Sequence, residues 1–460
     1  MGKKRLIIKI ALFILIFFLF IFFRFYNLSN RFIFDWDQEY LSNFLKNIIV
    51  NHDLILIGHR ATSETGFFFG PYFEYLFVPF YFFSRMHPNG LISFIYLINI
   101  VFFAVAYLVI KKLFNQPTAI GFLFFWALNH LFVVYDTIVW APILIPLGII
   151  LTWYFLWRLY KKGELKNYLL LGLTLGFFTQ IHSLFFPIDI FAAVFLMIAL
   201  FAKNKLDLNS SKKILISIGG FLFFFLPLVV FDLRHNFLNS KLFIGYFTER
   251  IQGTVDIKSS IEVYGNFLKP LLFYNNIFLT LAFHLLILAL LIYLTKKRQG
   301  FLKVFYLTSL ILWIITTITF LRYNQRPSEY YFIYLYPTIV VSVLDFFYQK
   351  NKYITIVLAL IFFVNNINYL RYITQSHELG LMVKEKAVLK LKNILEGKKY
   401  NLSYEVPIGF NTGYEYLLEY YNIKPSGDDK DPLVILRIPK QKGDVAAGKI
   451  GFRIPPELKP

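Results

Sequence analysis

Apolar residues along the chain come in blocks of about 20, the length at which an α-helix crosses the hydrocarbon core of a bilayer. The first block, 6–23, follows Met-Gly-Lys-Lys-Arg, and Arg24-Phe25-Tyr26-Asn27 continues it with no small-x-small cleavage site. That pattern predicts an uncleaved first span rather than a secretory leader. Further spans are predicted at 72–86, 91–110, 118–134, 138–157, 167–183, 184–202, 214–232, 275–295, 302–320, 330–348 and 353–372. Polar stretches interrupt them at 24–70, where two amphipathic helical patterns occur, at 233–270, and from about 376 to the end. Within the last stretch, helical periodicity covers 380–396 and 414–421, and strand-like runs occur at 400–407 and 433–438. The expected architecture is a polytopic α-helical membrane module over 1–375 and a small external α/β domain over 376–460.

Composition narrows this picture. Of 460 residues, 57% are hydrophobic and only 16% charged, against roughly 25% charged in ordinary soluble domains. A soluble protein of this length lacks the interior to hide so much apolar surface. The absence of cysteine excludes disulfides, thiolate metal sites and a Cys nucleophile. The net charge of +20 would suggest nucleic acid in a soluble protein. Here the cations cluster in short breaks between apolar blocks, at 3–5, 158–162, 203–213, 296–298 and 350–352. Such clusters mark cytoplasmic loops, so no nucleic-acid partner is expected. The N-terminus then lies in the cytoplasm. Loop 24–70, the 134–140 connection, the turn near His182, the 233–270 and 321–329 loops and the C-terminal domain fall outside the cytoplasmic membrane. Twelve spans would put the C-terminal domain inside, so one segment between 71 and 117 is expected to be re-entrant, or two short ones hidden, giving 11–13 crossings.

The densest group of chemically useful residues is Phe34-Asp35-Trp36-Asp37-Gln38-Glu39-Tyr40, just after the first span. Asp35, Asp37 and Glu39 are candidate general bases, and Asp35 or Asp37 equally suits the cap of a helix through 38–50. Next come Gly58-His59-Arg60 and Gly70-Pro71-Tyr72. Arg60 is a fixed cation near the membrane surface, suited to a phosphate. Asp136 stands between two apolar blocks, where a carboxylate is costly unless it faces a cavity. His182 ends another span on the same face. Arg322 and Arg326, with Glu329 and several tyrosines, open a late pair of spans and could neutralise a lipid phosphate. Gly-rich phosphate loops, HExxH and Gly-x-Ser-x-Gly are absent, so ATP-driven transport and serine or zinc hydrolysis have no support.

One span, then an external acidic motif, then Gly-Pro-Tyr-x-x-Tyr opening the next apolar block, resembles the GT-C glycosyltransferases of family 39. These include the dolichyl-phosphate-mannose protein mannosyltransferases and the bacterial lipid A aminoarabinose transferases. Val134-Tyr135-Asp136-Thr137, Leu171-Gly172-Leu173-Thr174-Leu175-Gly176, Phe231-Asp232-Leu233-Arg234-His235-Asn236 and Tyr331-Phe332-Ile333-Tyr334-Leu335-Tyr336-Pro337 extend the likeness over about residues 1–375. Two departures stand out. The family's Asp-Glu is Asp37-Gln38 here, with Glu39 one place later, and the basic residue before the Pro of the second span is missing. The resemblance implies sugar transfer from a polyprenyl-phosphate-linked donor to a hydroxyl of a protein, lipid or glycan acceptor on the external face, with inversion. Asp37 is the best match to the catalytic aspartate, with Asp35 and Glu39 open. His59 or Arg60 would replace the missing cation, and Tyr72, His182, Arg234, His235, Arg322 and Arg326 would line the donor site. No organic cofactor is implied. Asp37 and Asp136 are candidate ligands for a shared divalent metal ion. A transporter or flippase of lipid-linked sugars would show related halves with broken helices, and no such symmetry is seen. A non-catalytic assembly protein would leave the acidic residues unexplained.

Overall fold

The computed structural model describes residues 2–61, 66–202, 208–250, 257–272, 276–322, 328–350, 352–367, 370–374, 377, 379–395 and 397–458. Among these, six helices are long and apolar enough to cross a membrane: Asn89–Leu113, Ala141–Lys162, Ser183–Phe201, Ile277–Lys297, Gly300–Leu321 and Glu329–Phe347. Ser211–Phe223 and Leu226–Arg234 make a further one if counted as a single span bent by 60°. Pro227 stands at the start of the second piece, where its missing N–H suits a helix start but not continuous hydrogen bonding. Ile10–Phe25 and Gln116–Leu128 are shorter apolar helices. The chain is an integral membrane protein.

The predicted span 72–86 is a 12-residue helix, Tyr72–Phe83, with Pro79 inside it. It is about 18 Å long, well short of the ~30 Å hydrocarbon core. Lys111 and Lys112 end the Asn89–Leu113 helix. Lys161 and Lys162 likewise end Ile145–Lys162. The expected span 118–134 also divides. Asn129 stops one helix and caps the next, its side chain accepting the Phe132 N–H at 3.3 Å. The 233–270 stretch, read as a loop, is helical over Leu238–Arg250 and Ile257–Leu272.

Close packing explains the glycines of the 165–181 span. That helix lies against Leu208–Phe223. A Cβ at Gly172 would come within 1.9 Å of Ser217 O, and one at Gly176 within 2.3 Å of Phe221 O. Small residues four apart let two backbones meet where lipid supplies no hydrophobic drive.

The C-terminal domain opens with the Leu381–Leu395 helix. It continues with β1 (Asn401–Glu405), the Glu415–Tyr420 helix, β2 (Leu433–Arg437), β3 (Val445–Ala447) and β4 (Ile450–Arg453). The sheet order is β1-β2-β4-β3, with β1 and β2 parallel and the other pairs antiparallel. The domain shares one contiguous apolar core with the membrane module. Backbone pairs join them directly: Phe34 N–H to Leu379 O at 2.9 Å and Leu381 N–H to Phe32 O at 2.8 Å.

Candidate active site

The acidic segment leads into the Trp36–Asn51 helix, with Asp35 at its N-cap. Gln38 Oε1 accepts the Asp35 N–H at 3.2 Å, and Gln38 Nε2 donates to Val139 O at 2.8 Å. Gln38 is 2% exposed. A glutamate there has no N–H to give Val139, which accounts for the departure from Asp-Glu. The three acids of this segment have different surroundings. Asp37 is open to solvent. Partial desolvation by the surrounding protein pushes its carboxyl above the usual range; the Asp35 charge adds to this and His59 opposes it. Asp35 is half-buried, and burial raises it while Lys384 opposes. Glu39 instead accepts the Gly413 N–H at 2.7 Å and the Tyr416 N–H at 2.9 Å. It docks the C-terminal domain.

Residues 58–61 fold back on 67–69. Gly58 N–H bonds Phe69 O at 2.8 Å and Phe69 N–H bonds His59 O at 3.0 Å. This turn presents His59 and Arg60. His59 Nδ1 lies 3.0 Å from Glu74 Oε1, which also accepts the His59 N–H at 2.9 Å. The His59 ring packs on Phe69 and Phe73, and His182 stacks on Phe69 at 5.6 Å. Arg60 lies 4.5 Å over the Phe68 ring. Glu74 is 2% exposed and was not singled out from sequence. The available signal was an acid near the start of an otherwise apolar helix, which needs a partner when buried.

Beside this turn a cavity of about 330 Å³ opens among Phe67, Gln180, Phe225, Asp232, Phe243 and Ile244. Its walls are mainly aromatic and aliphatic. Tyr72 stands next to it, its ring 4.9 Å from Phe224 at the bend of the broken helix. Asp232 is buried and turns the chain back by accepting the N–H groups of Asn239 at 2.7 Å and Ser240 at 3.1 Å. Asn239 then grips the Phe68 backbone, accepting its N–H at 2.7 Å and donating to its carbonyl at 3.1 Å. Arg234 and His235 are exposed, and His235 stacks on Phe231 at 4.2 Å. Arg326 and the Arg322 side chain lie outside the described residues.

Asp136 is placed differently from the expectation of an open external acid. It is 6% exposed. Its Oδ2 accepts Arg24 Nε at 2.8 Å, Arg24 Nη2 at 2.6 Å and Trp126 Nε1 at 3.0 Å. Arg24, at the end of the first apolar helix, is the partner that sequence did not reveal. A guanidinium already on the oxygen does not suit a divalent ion shared with Asp37. Among the described residues no group of three or more His, Asp or Glu side chains gathers as a metal site.

No protein-family model matches the chain, and no curated protein matches it by sequence. Solved structures do match in shape. ArnT from Cupriavidus metallidurans bound to undecaprenyl phosphate is 9% identical, with a TM-score of 0.58 over 96% of this chain and 87% of that one. The apo state of the same protein gives 10% identity and 0.55 over 94% and 86%. The oligosaccharyltransferase of Archaeoglobus fulgidus, in complex with zinc and sulfate, gives 13% and 0.50, with 90% of this chain spanning 62% of that one. The chain therefore has the GT-C fold of these membrane glycosyltransferases.

Proposed function

We propose that the protein transfers a sugar from a polyprenyl-phosphate donor to an acceptor hydroxyl on the extracytoplasmic face, with Asp37 as general base. The observation that carries this reading is the position of Asp37. It is an open carboxylate beside His59, in a chain whose fold matches, over 96% of its length, a protein solved with undecaprenyl phosphate. The aromatic cavity lined by Phe67, Phe225 and Phe243 suits an isoprenoid tail. Arg60, Arg234 and Lys241 are described cations close in sequence to its lining, and Arg322 and Arg326 would join them.

The acceptor hydroxyl gives its proton to an Asp37 oxygen as its own oxygen attacks the anomeric carbon. The bond from that carbon to the phosphate oxygen breaks, and its electron pair stays on the lipid phosphate. Attack opposite the leaving group inverts the configuration. The buried Glu74 holds the His59 backbone and ring in place beside Asp37. The basic inner loops support a cytoplasmic N-terminus with the site and the C-terminal domain outside. The test is transfer of radiolabelled sugar from polyprenyl-phosphate sugars by purified protein in liposomes. No transfer from any donor of that class, with intact folded protein, would remove the reading.

A further inference from the structure

The C-terminal domain grips the acidic segment from two sides. Lys384, on the Leu381–Leu395 helix, is 0% exposed. Its ammonium donates to Phe34 O at 2.7 Å and to Thr412 O at 2.6 Å. The Phe34 N–H is held on the other side by Leu379 O at 2.9 Å. Beyond Asp37, Glu39 is held by the N–H groups of Gly413 and Tyr416. Gly413 has φ +78°, and a Cβ there would lie 2.2 Å from Phe34 O and 2.7 Å from Lys384 Nζ. Only a residue without a side chain lets this turn close on the segment. The residue before Asp35 and the acid after Asp37 are thus both fixed by the same external domain.

A buried ammonium is an expensive way to glue two surfaces. Its desolvation costs several kcal/mol unless it is fully hydrogen-bonded, and a methionine of similar volume would pack at lower cost. What the ammonium adds is direction and charge. It orients the Phe34 carbonyl and sets a cation behind Asp35. The charged and titratable groups facing it are Asp35 and Glu39 from the acidic segment and Tyr414 at 5.1 Å from its own domain. Asp37 in turn faces Asp35 and His59.

We propose that Lys384 is a positioning residue for the acidic segment: by fixing the Phe34 carbonyl it sets how Asp37 is presented, which makes the C-terminal domain a working part of the site. The proposal rests on the reading of Asp37 as the base. It separates Lys384 from Lys46, whose ammonium meets Glu419 Oε1 at 2.8 Å and joins the Trp36–Asn51 helix to the same domain away from Phe34.

The experiment compares full-length wild type, Lys384→Met, Lys384→Gln and Lys46→Met in liposomes. It reads amide hydrogen exchange over residues 33–37 and steady-state transfer from a polyprenyl-phosphate sugar. Lys384→Met should speed exchange of the Phe34 to Asp37 amides by about tenfold. It should lower kcat by about tenfold or more with KM for the donor little changed, as expected for a misaligned base. Lys384→Gln, which keeps one donor, should fall between, and it carries the test if Lys384→Met does not fold. Lys46→Met should leave both readouts near wild type. Unchanged exchange in both Lys384 variants, or equal loosening in Lys46→Met, overturns the proposal, as does a rise in KM with kcat preserved. If wild type transfers no sugar, the transferase reading falls by itself and the exchange comparison alone decides whether Lys384 holds the segment.

Discussion

Asp37 and Asp136 are the same side chain at the same kind of place, a helix terminus outside the long apolar spans, yet they differ in what the neighbouring elements bring to them. Asp37 has a second carboxylate and an imidazole nearby and solvent in front. Asp136 has a guanidinium and an indole N–H on one oxygen and almost no exposure. The first is free to take a proton from something that enters. The second is spent on joining the first helix to the Trp126–Asp136 region. A carboxylate near a membrane surface is therefore open to a ligand only when no fixed cation has already claimed it.

The contrast can be broken most directly at Asp37. Asp37→Asn should lower transfer by about 10²–10⁴-fold, with the thermal midpoint of the purified protein unchanged. A loss of threefold or less would move the base to Asp35. The opposite pattern is expected at the other aspartate. Arg24→Met leaves the Asp136 carboxylate buried and unpaired and should destabilise the protein by about 3–5 kcal/mol, read as a lower unfolding midpoint in detergent. Adding Asp136→Leu to it should restore much of that loss, and no restoration would mean the pair is not what holds the two elements together. Glu39→Gln removes the charge from two hydrogen bonds to the C-terminal domain and should cost about 1.5–3 kcal/mol. If it instead abolished transfer at full stability, Glu39 would be a reacting group. The smallest effect is on pH. Because burial and Asp35 raise the Asp37 carboxyl, and a base works deprotonated, the acid limb of kcat/KM should lie above the ordinary aspartate range near 4. Asp35→Asn removes a like charge, lowers the Asp37 pKa and should carry activity to lower pH; a limb moving to higher pH would contradict the coupling.

Much of the membrane module was legible in the chain. A helix that must satisfy its own backbone bonds in lipid leaves a run of about 20 apolar residues, and the Ile277–Lys297 and Gly300–Leu321 helices match the expected blocks closely. Tyr72–Phe83 is shorter than the 72–86 block, 12 residues with Pro79 inside it, because apolar composition alone does not mark where a helix ends. In the C-terminal domain the Leu381–Leu395 helix, β1 and β2 followed their periodicities. The β3–β4 hairpin did not, since strands of three and four residues carry too little pattern to detect. In the candidate site Asp37 was legible as a motif residue. Glu74 was not, because one acid in the first turn of a helix reads as ordinary helix-start charge.

The sequence by itself determined that this is a many-span membrane protein with a polar C-terminal domain and an acidic segment after the first apolar block. Those properties rest on local composition and short-range periodicity, which act through the hydrophobic effect residue by residue. Only the tertiary structure decided which acids are open. Asp136 is closed by Arg24, 112 positions away, and the acidic segment is held by Lys384, 350 positions from Phe34. Hydrogen bonds and ion pairs reach only about 3–4 Å, so which partner comes within that range is set by how the helices pack, and no window along the chain contains it.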